Sequence, residues 1–173
     1  MRGAKPFKTW SLVPRAERLT PMRFISDALQ SIAVTLWVGG LWVIGLVVAP
    51  FLFHAVADRA QAGLLAGHLF MVMAYIGLGC GAYLLLYRLA IFGSHALRQL
   101  LFWIVLLMVA LDAAGQFGVQ PIMAGLKQQA LPKEVMESIF RDRFAAWHGV
   151  ASVLYLVECA LGLVMVLQHG RGR

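Results

Sequence analysis

The chain has 173 residues, of which 61% are hydrophobic and only 13% are charged, and its formal net charge is +7. An average soluble domain carries about 25% charged residues, so this composition excludes a soluble domain, while the abundance of apolar and aromatic side chains excludes disorder. Two cysteines exclude a disulfide scaffold. Basic segments beside membrane spans explain the positive charge better than nucleic acid does, so we predict an integral membrane protein that binds no nucleic acid.

The chain begins with a basic segment, residues 1–21, that contains three prolines and little apolar pattern. We predict a flexible tail that contacts anionic lipids. A cleavable signal peptide is not expected, because the apolar run that follows is far longer than a signal peptide requires. Met22 directly precedes the first span, which leaves open whether the tail belongs to the true protein.

Long stretches almost free of Asp, Glu, Lys and Arg predict four membrane spans, at about 28–53, 62–87, 98–120 and 145–168. Each must be helical, because lipid offers no partner for free backbone groups. The short connections predict antiparallel neighbours, and therefore an all-α, up-down four-helix bundle over residues 22–170. Alternating strands typical of a membrane β-barrel are absent from the sequence.

The distribution of Lys and Arg predicts the orientation of these spans. Placing both termini in the cytoplasm puts ten basic residues inside and five outside, as the positive-inside rule requires. We therefore predict a multi-pass membrane protein with both termini in the cytoplasm. The segment 132–140, in the loop before the fourth span, has the pattern of a short amphipathic helix on the outer surface.

Small residues at four-residue spacing occur on the second span, as the pairs Gly63 with Gly67 and Gly77 with Gly81. Such pairs allow helices to approach closely, and contact within one chain is the expected role. A homo-oligomer or a membrane-protein partner is also compatible with these pairs. Cys80 is expected to behave as a buried free thiol.

Polar residues recur at helical spacing on the third and fourth predicted spans, and lipid would penalise both polar faces. We predict a buried network in which Asp112 lies within hydrogen-bond reach of Ser152 or Tyr155, directly or through water. No Lys or Arg lies at matching depth. The network either fixes helix register or conducts a proton or solute, and we give these roles equal weight. Its members are Asp112, Gln116 and Gln120 on the third span, and His148 beside Gln120, Ser152 beside Gln116, Tyr155 and Glu158 on the fourth.

Three histidines fall near the predicted outer ends of the spans: His54, His68 and His148. Imidazoles of this kind bind haem b or copper, so these three residues are an alternative cofactor site. They show no diagnostic spacing such as HxxxH, and histidine is common at membrane interfaces without any ligand. The main expectation is therefore that the protein has no cofactor.

Several segments together resemble the bacterial branch of the transmembrane-protein-205-like family of unknown function. They are LWVGG at 36–40, VAP at 48–50, GVQPIM at 118–123 and HGVASVLYLVE at 148–158, and the resemblance extends over about residues 24–168. It implies a four-span inner-membrane protein and no defined activity; a eukaryotic relative is linked to platinum-drug resistance. The opening WVGG is also similar to the copper-resistance D membrane domain.

Phosphate-binding loops, nucleophile elbows and HExxH or CxxC motifs are absent from the sequence. The favoured interpretation is a non-enzymatic membrane protein, either an accessory subunit or a small transport-related component. A haem- or copper-binding membrane protein is the alternative. A membrane enzyme that uses Asp112 and Glu158 ranks last.

Overall fold

The computed structural model describes residues 21–130, 136 and 139–171, and these residues form helices and the short turns between them. The helices group into four spans. Span 1 comprises α1 (Pro21–Trp42), a π-helical segment (Val43–Val48) and α2 (Ala49–Ala55), and span 2 comprises α3 (Arg59–Phe92) and a 3₁₀ segment (Gly93–Arg98). Span 3 comprises α4 (Leu100–Ala113), a second π-helical segment (Ala114–Val119) and α5 (Gln120–Ala130). Span 4 is the single helix α6 (Arg141–Arg171).

All four spans are long and apolar enough to cross a membrane, which indicates a multi-pass membrane protein. The predicted all-α architecture is therefore confirmed. The helices extend beyond the predicted spans, for example from Leu100 through Ala130 in span 3. The sequence-based boundaries followed the charged residues, whereas a helix continues past the hydrocarbon core as long as its backbone hydrogen bonds are made.

Tight connections explain the up-down arrangement. Only three residues separate α2 from α3, and the Asp58 side chain caps α3 by accepting a hydrogen bond of 2.8 Å from the backbone N–H of Ala60. At its other end α3 stops at Gly93, whose φ of 52° is readily adopted only by glycine. Spans 1 and 2, and likewise spans 2 and 3, are thereby forced to run in opposite directions, and span 4 packs against both span 1 and span 3.

The packed interior lies between the four spans and is centred on Trp37, Leu41, Val105, Met108 and Met165, each at most 2% exposed. The outer surface is equally apolar, since large side chains such as Leu36, Phe51 and Leu86 are more than half exposed. A soluble protein rarely leaves so many large apolar side chains uncovered. Lipid tails are the environment that this surface fits.

Glycines on α3 let span 1 approach span 2 closely. Gly77 and Gly81 are both buried, and the indole of Trp37 lies against them. This confirms the predicted role of that pair in contact within the chain. The pair Gly63 and Gly67 packs loosely, because a Cβ at Gly67 would meet no atom within 4 Å among the described residues.

Two predicted segments lie outside the described residues. The basic tail is one, apart from Pro21 at the start of α1, and the amphipathic segment 132–140 is the other, apart from residues 136, 139 and 140.

Candidate functional site

Two carboxyl groups face each other in the interior of the bundle. Asp112, in the last turn of α4, is 6% exposed, and Glu158, on α6, is 4% exposed; among the described residues they are the buried charged side chains. The indole N–H of Trp37 on α1 faces both carboxyls. Three spans therefore contribute one polar side chain each to the site.

The apolar pattern of α4 and α6 explains why these carboxyls point inward. Asp112 follows Val105 and Met108 on the buried face of α4, at steps of three and four residues. Glu158 lies one turn before Gly162 on α6, and the Cβ position of Gly162 is within 3.1 Å of Val38 on α1. Each carboxyl is thus held inside by the same packing that forms the core.

Gly77 on α3 provides the space for this site. A Cβ at residue 77 would lie 2.1 Å from Asp112 Oδ2 and 2.5 Å from Trp37 Nε1. Both distances are shorter than any real contact, so a larger residue at position 77 would displace the carboxyl and the indole together. Span 2 therefore shapes the site without contributing a polar group.

The polar atoms of the site lack conventional partners. Within the described part of the chain, Asp112 Oδ2, Glu158 Oε1 and Trp37 Nε1 are buried and have no hydrogen bond of ordinary geometry. A proton on one carboxyl would convert it into a donor to the other. The arrangement can therefore hold a proton between two acids, with an N–H group available to the remaining negative charge.

Tyr155 joins span 4 to the first π-helical segment. Its hydroxyl donates a hydrogen bond to the backbone carbonyl of Leu41, and its ring packs against Gly45 and, edge-on at 5.1 Å between centroids, against Phe70. The hydroxyl therefore ties span 4 to α1 just before the π-helical segment. Its direct hydrogen bond goes to Leu41 and not to Asp112.

The structure also differs from the prediction at the outer part of span 4. His148 and Ser152 are exposed, and the Ser152 hydroxyl donates to the carbonyl of His148, 2.9 Å away on the same helix. The expected pairing of Ser152 with Asp112 or Gln116 is therefore replaced by a bond within α6. The reason is geometric, because each three-residue step turns an α-helix by about 300°, and two such steps from Glu158 carry Ser152 about 120° around the helix.

Gln116 and Gln120 are half-buried on span 3. Gln116 lies within the π-helical segment that follows α4, and Gln120 is the first residue of α5. Four-residue steps drift by about 40° each on an α-helix, and the extra residue in a π-helical turn offsets that drift. The side-chain amides of Gln116 and Gln120 therefore extend the polar face from Asp112 toward the end of span 3 that precedes the last loop.

The three histidines lie on the periphery and are exposed. His54 Nδ1 is 2.8 Å from the carbonyl of Pro50 in its own helix, and the His148 ring stacks on Phe144 with a centroid distance of 6.2 Å. Across the residues that the structure describes, no three His, Cys, Asp or Glu side chains converge as a metal site would require. Haem b or copper binding by His54, His68 and His148 stays a prediction.

Sequence reasoning missed Trp37, the place of Gly77 beside the carboxyl of Asp112, and the contact between Asp112 and Glu158. A signal for Trp37 was present, since a tryptophan in the middle of a span must place its N–H somewhere when it is buried. Cys80 and Cys159 are free thiols; Cys80 is half-buried rather than buried as expected, and Cys159 is buried.

Comparison with known proteins identifies a family but no activity. A family model described as "Domain of unknown function (DUF4149)" matches residues 32–132, which is more than half of the chain and includes Trp37, Gly77 and Asp112. Neither the curated proteins nor the solved structures contain a significant match. The chain therefore belongs to the family defined by this domain of unknown function, DUF4149.

Proposed function

We propose that this protein is a small transport-related component of the bacterial inner membrane. In this proposal the Asp112–Glu158 pair takes up and releases a proton during transport. The observation that carries the proposal is the meeting of two carboxyls from different spans inside the bundle, each at most 6% exposed. Neither carboxyl forms an ion pair with a basic residue in the described part of the chain.

Electrostatics favours a proton at this site. A charged side chain at the centre of a membrane helix costs about 2.5–3.5 kcal/mol on insertion scales, and two negative charges at one site also repel each other. A proton shared by the two acids removes one charge and satisfies one acceptor. The Trp37 N–H then faces the charge that remains.

The competing explanation is a structural network that fixes the register of the helices. It requires only that the two carboxyl groups keep their hydrogen-bonding partners, and it involves no exchange of protons with water. Ionisable groups inside membrane spans usually indicate a functional site. Neutral amide side chains would fix the register of the helices equally well. Replacing the acids by amides therefore separates the two explanations.

Proton flux into liposomes provides the test. The purified full chain is reconstituted with a pH-sensitive dye inside, and a potassium diffusion potential drives protons inward. We expect faster acidification than in protein-free liposomes, and loss of this flux in Asp112→Asn and Glu158→Gln, both of which should still fold. Asp27→Asn is the matched control, because Asp27 is an exposed carboxyl near the start of span 1. Equal proton flux in wild type and Asp112→Asn would contradict a role in proton exchange and support the structural explanation.

The orientation of the protein belongs to the same proposal. The excess of Lys and Arg on one side supports cytoplasmic termini, and fusions of alkaline phosphatase or a fluorescent protein to the C-terminus test this. A fluorescent fusion without phosphatase activity is expected, and the opposite result would invert the topology. The relation to the transmembrane-protein-205-like family is also proposed, supported by the segment at 148–158 beyond the matched domain.

A further inference from the structure

A groove of about 400 Å³ lies between α5 and α6, away from the carboxyl pair. Ile122, Gly125 and Leu126 form its α5 wall, and Arg143 and Trp147 form its α6 wall. The groove runs from the loop end of the two helices, where Gln129 and Arg143 lie, toward the apolar part of the spans. It therefore has one polar end and one apolar wall.

Arg143 places a cation at the polar end of this groove. It is exposed, and no ion pair or hydrogen bond of its guanidinium occurs within the described residues. The neighbouring cation on α5 is engaged differently, since Lys127 Nζ lies 5.6 Å from the centroid of the Phe144 ring. Trp147, 36% exposed, lies one turn further along α6, as aromatic side chains do at membrane–water boundaries.

We propose that this groove binds one anionic phospholipid. The Arg143 guanidinium provides paired N–H donors for the phosphate, Gln129 adds an amide beside it, and an acyl chain lies along Ile122 and Trp147. These two apolar side chains are exposed beside the cation, at 39% and 36%, which favours a lipid over a soluble phosphate. Gly125 keeps the wall open, because a Cβ there would meet no described atom within 4 Å.

Native mass spectrometry of the full chain in detergent tests this site. The protein is mixed with phosphatidylglycerol, with phosphatidylcholine of the same chain length, or with inorganic phosphate. Arg143→Gln removes the charge, and Gly125→Leu fills the groove without touching the packed interior. Arg141→Gln is the matched control, because Arg141 is an exposed arginine on the same helix that does not line the groove.

We expect wild type and Arg141→Gln to retain one phosphatidylglycerol more than phosphatidylcholine. Arg143→Gln should weaken that retention about fivefold, since one basic residue contributes about 1 kcal/mol at an anionic membrane surface, and Gly125→Leu should reduce retention of both lipids. Equal loss in Arg141→Gln and Arg143→Gln, equal retention of the two lipids, or competition by inorganic phosphate alone would overturn the proposal. Circular dichroism of each variant confirms that the helices are intact.

Discussion

The carboxyl group of Asp112 lies directly against Gly77, so that a Cβ at residue 77 would be only 2.1 Å from Asp112 Oδ2. Glycine is therefore part of the acidic site although it has no side chain. Trp37 Nε1 would lie within 2.5 Å of the same Cβ position. The absence of a side chain at Gly77 therefore allows groups from spans 1 and 3 to meet against span 2. Glu158 on span 4 completes the set.

Replacing Gly77 with alanine should disrupt this site. The added methyl group overlaps the Asp112 carboxyl and the Trp37 indole, and overpacking of a close-packed interior costs about 1–3 kcal/mol. Thermal unfolding in detergent measures the loss. Gly79→Ala is the matched control, because Gly79 is exposed and a Cβ there meets nothing within 4 Å; it should be neutral or slightly stabilising, since alanine favours a helix more than glycine does. Equal unfolding temperatures for the two variants would show that the site relaxes freely.

Replacing Tyr155 with phenylalanine should destabilise the contact between spans 1 and 4. The ring keeps its packing against Gly45 and Phe70, but the Leu41 carbonyl loses its donor, at a cost of about 1 kcal/mol. The free energy of unfolding in mixed detergent measures the change. Tyr75→Phe is the control: the Tyr75 ring is half exposed and contacts Phe117 edge-on, and this contact does not need the hydroxyl. A loss of the same size in both variants would contradict the role of the Tyr155 hydrogen bond.

Deleting residues 1–21 should leave insertion and folding intact. The shortened chain starts at Met22 and keeps Arg23 as the basic residue before the first span. The deletion also keeps Ser26, whose Oγ accepts a hydrogen bond of 3.2 Å from the Tyr87 hydroxyl on span 2. Membrane fractionation and the unfolding temperature of the purified protein are the measurements. Degradation or inversion of the truncated chain would show that the tail is structural.

The sequence was sufficient to predict the four spans and the inward direction of Asp112 and Glu158. Both predictions depend on the cost of placing charge in lipid, which acts on each residue regardless of its neighbours. The pair Gly77 and Gly81 was found for a similar reason, because small residues at four-residue spacing mark close helix contact.

The partners within the site could not be predicted from spacing alone. Polar stripes were extrapolated with regular α-helical geometry, but a three-residue step drifts around the helix and carries Ser152 to the exposed surface. The two π-helical segments have no local signal in the sequence, and such segments occur frequently at functional sites. The first begins two residues after Leu41, whose carbonyl accepts the Tyr155 hydrogen bond. The second begins two residues after Asp112.

A double-mutant cycle should detect the interaction between Asp112 and Glu158 directly. Asp112→Asn and Glu158→Gln each keep the shape and hydrogen-bonding capacity of the side chain, so the single variants should fold. Because the two groups share one buried site, the effects on the free energy of unfolding should not add, and a coupling of about 0.6–1.7 kcal/mol is expected from cycles in other membrane proteins. Asp112→Leu should cost about 1 kcal/mol or more, because it leaves Glu158 without its neighbour.

Ser152 provides the control pair for this cycle. It was predicted to bind Asp112, but it is exposed and bonds to its own helix. Asp112→Asn and Ser152→Ala should therefore add within about 0.5 kcal/mol. Coupling of Asp112 to Ser152 but not to Glu158 would reverse the arrangement described above and restore the pairing expected from the spacing. Coupling to Glu158 alone, together with loss of proton flux in both single variants, would assign the pair a functional role beyond helix packing.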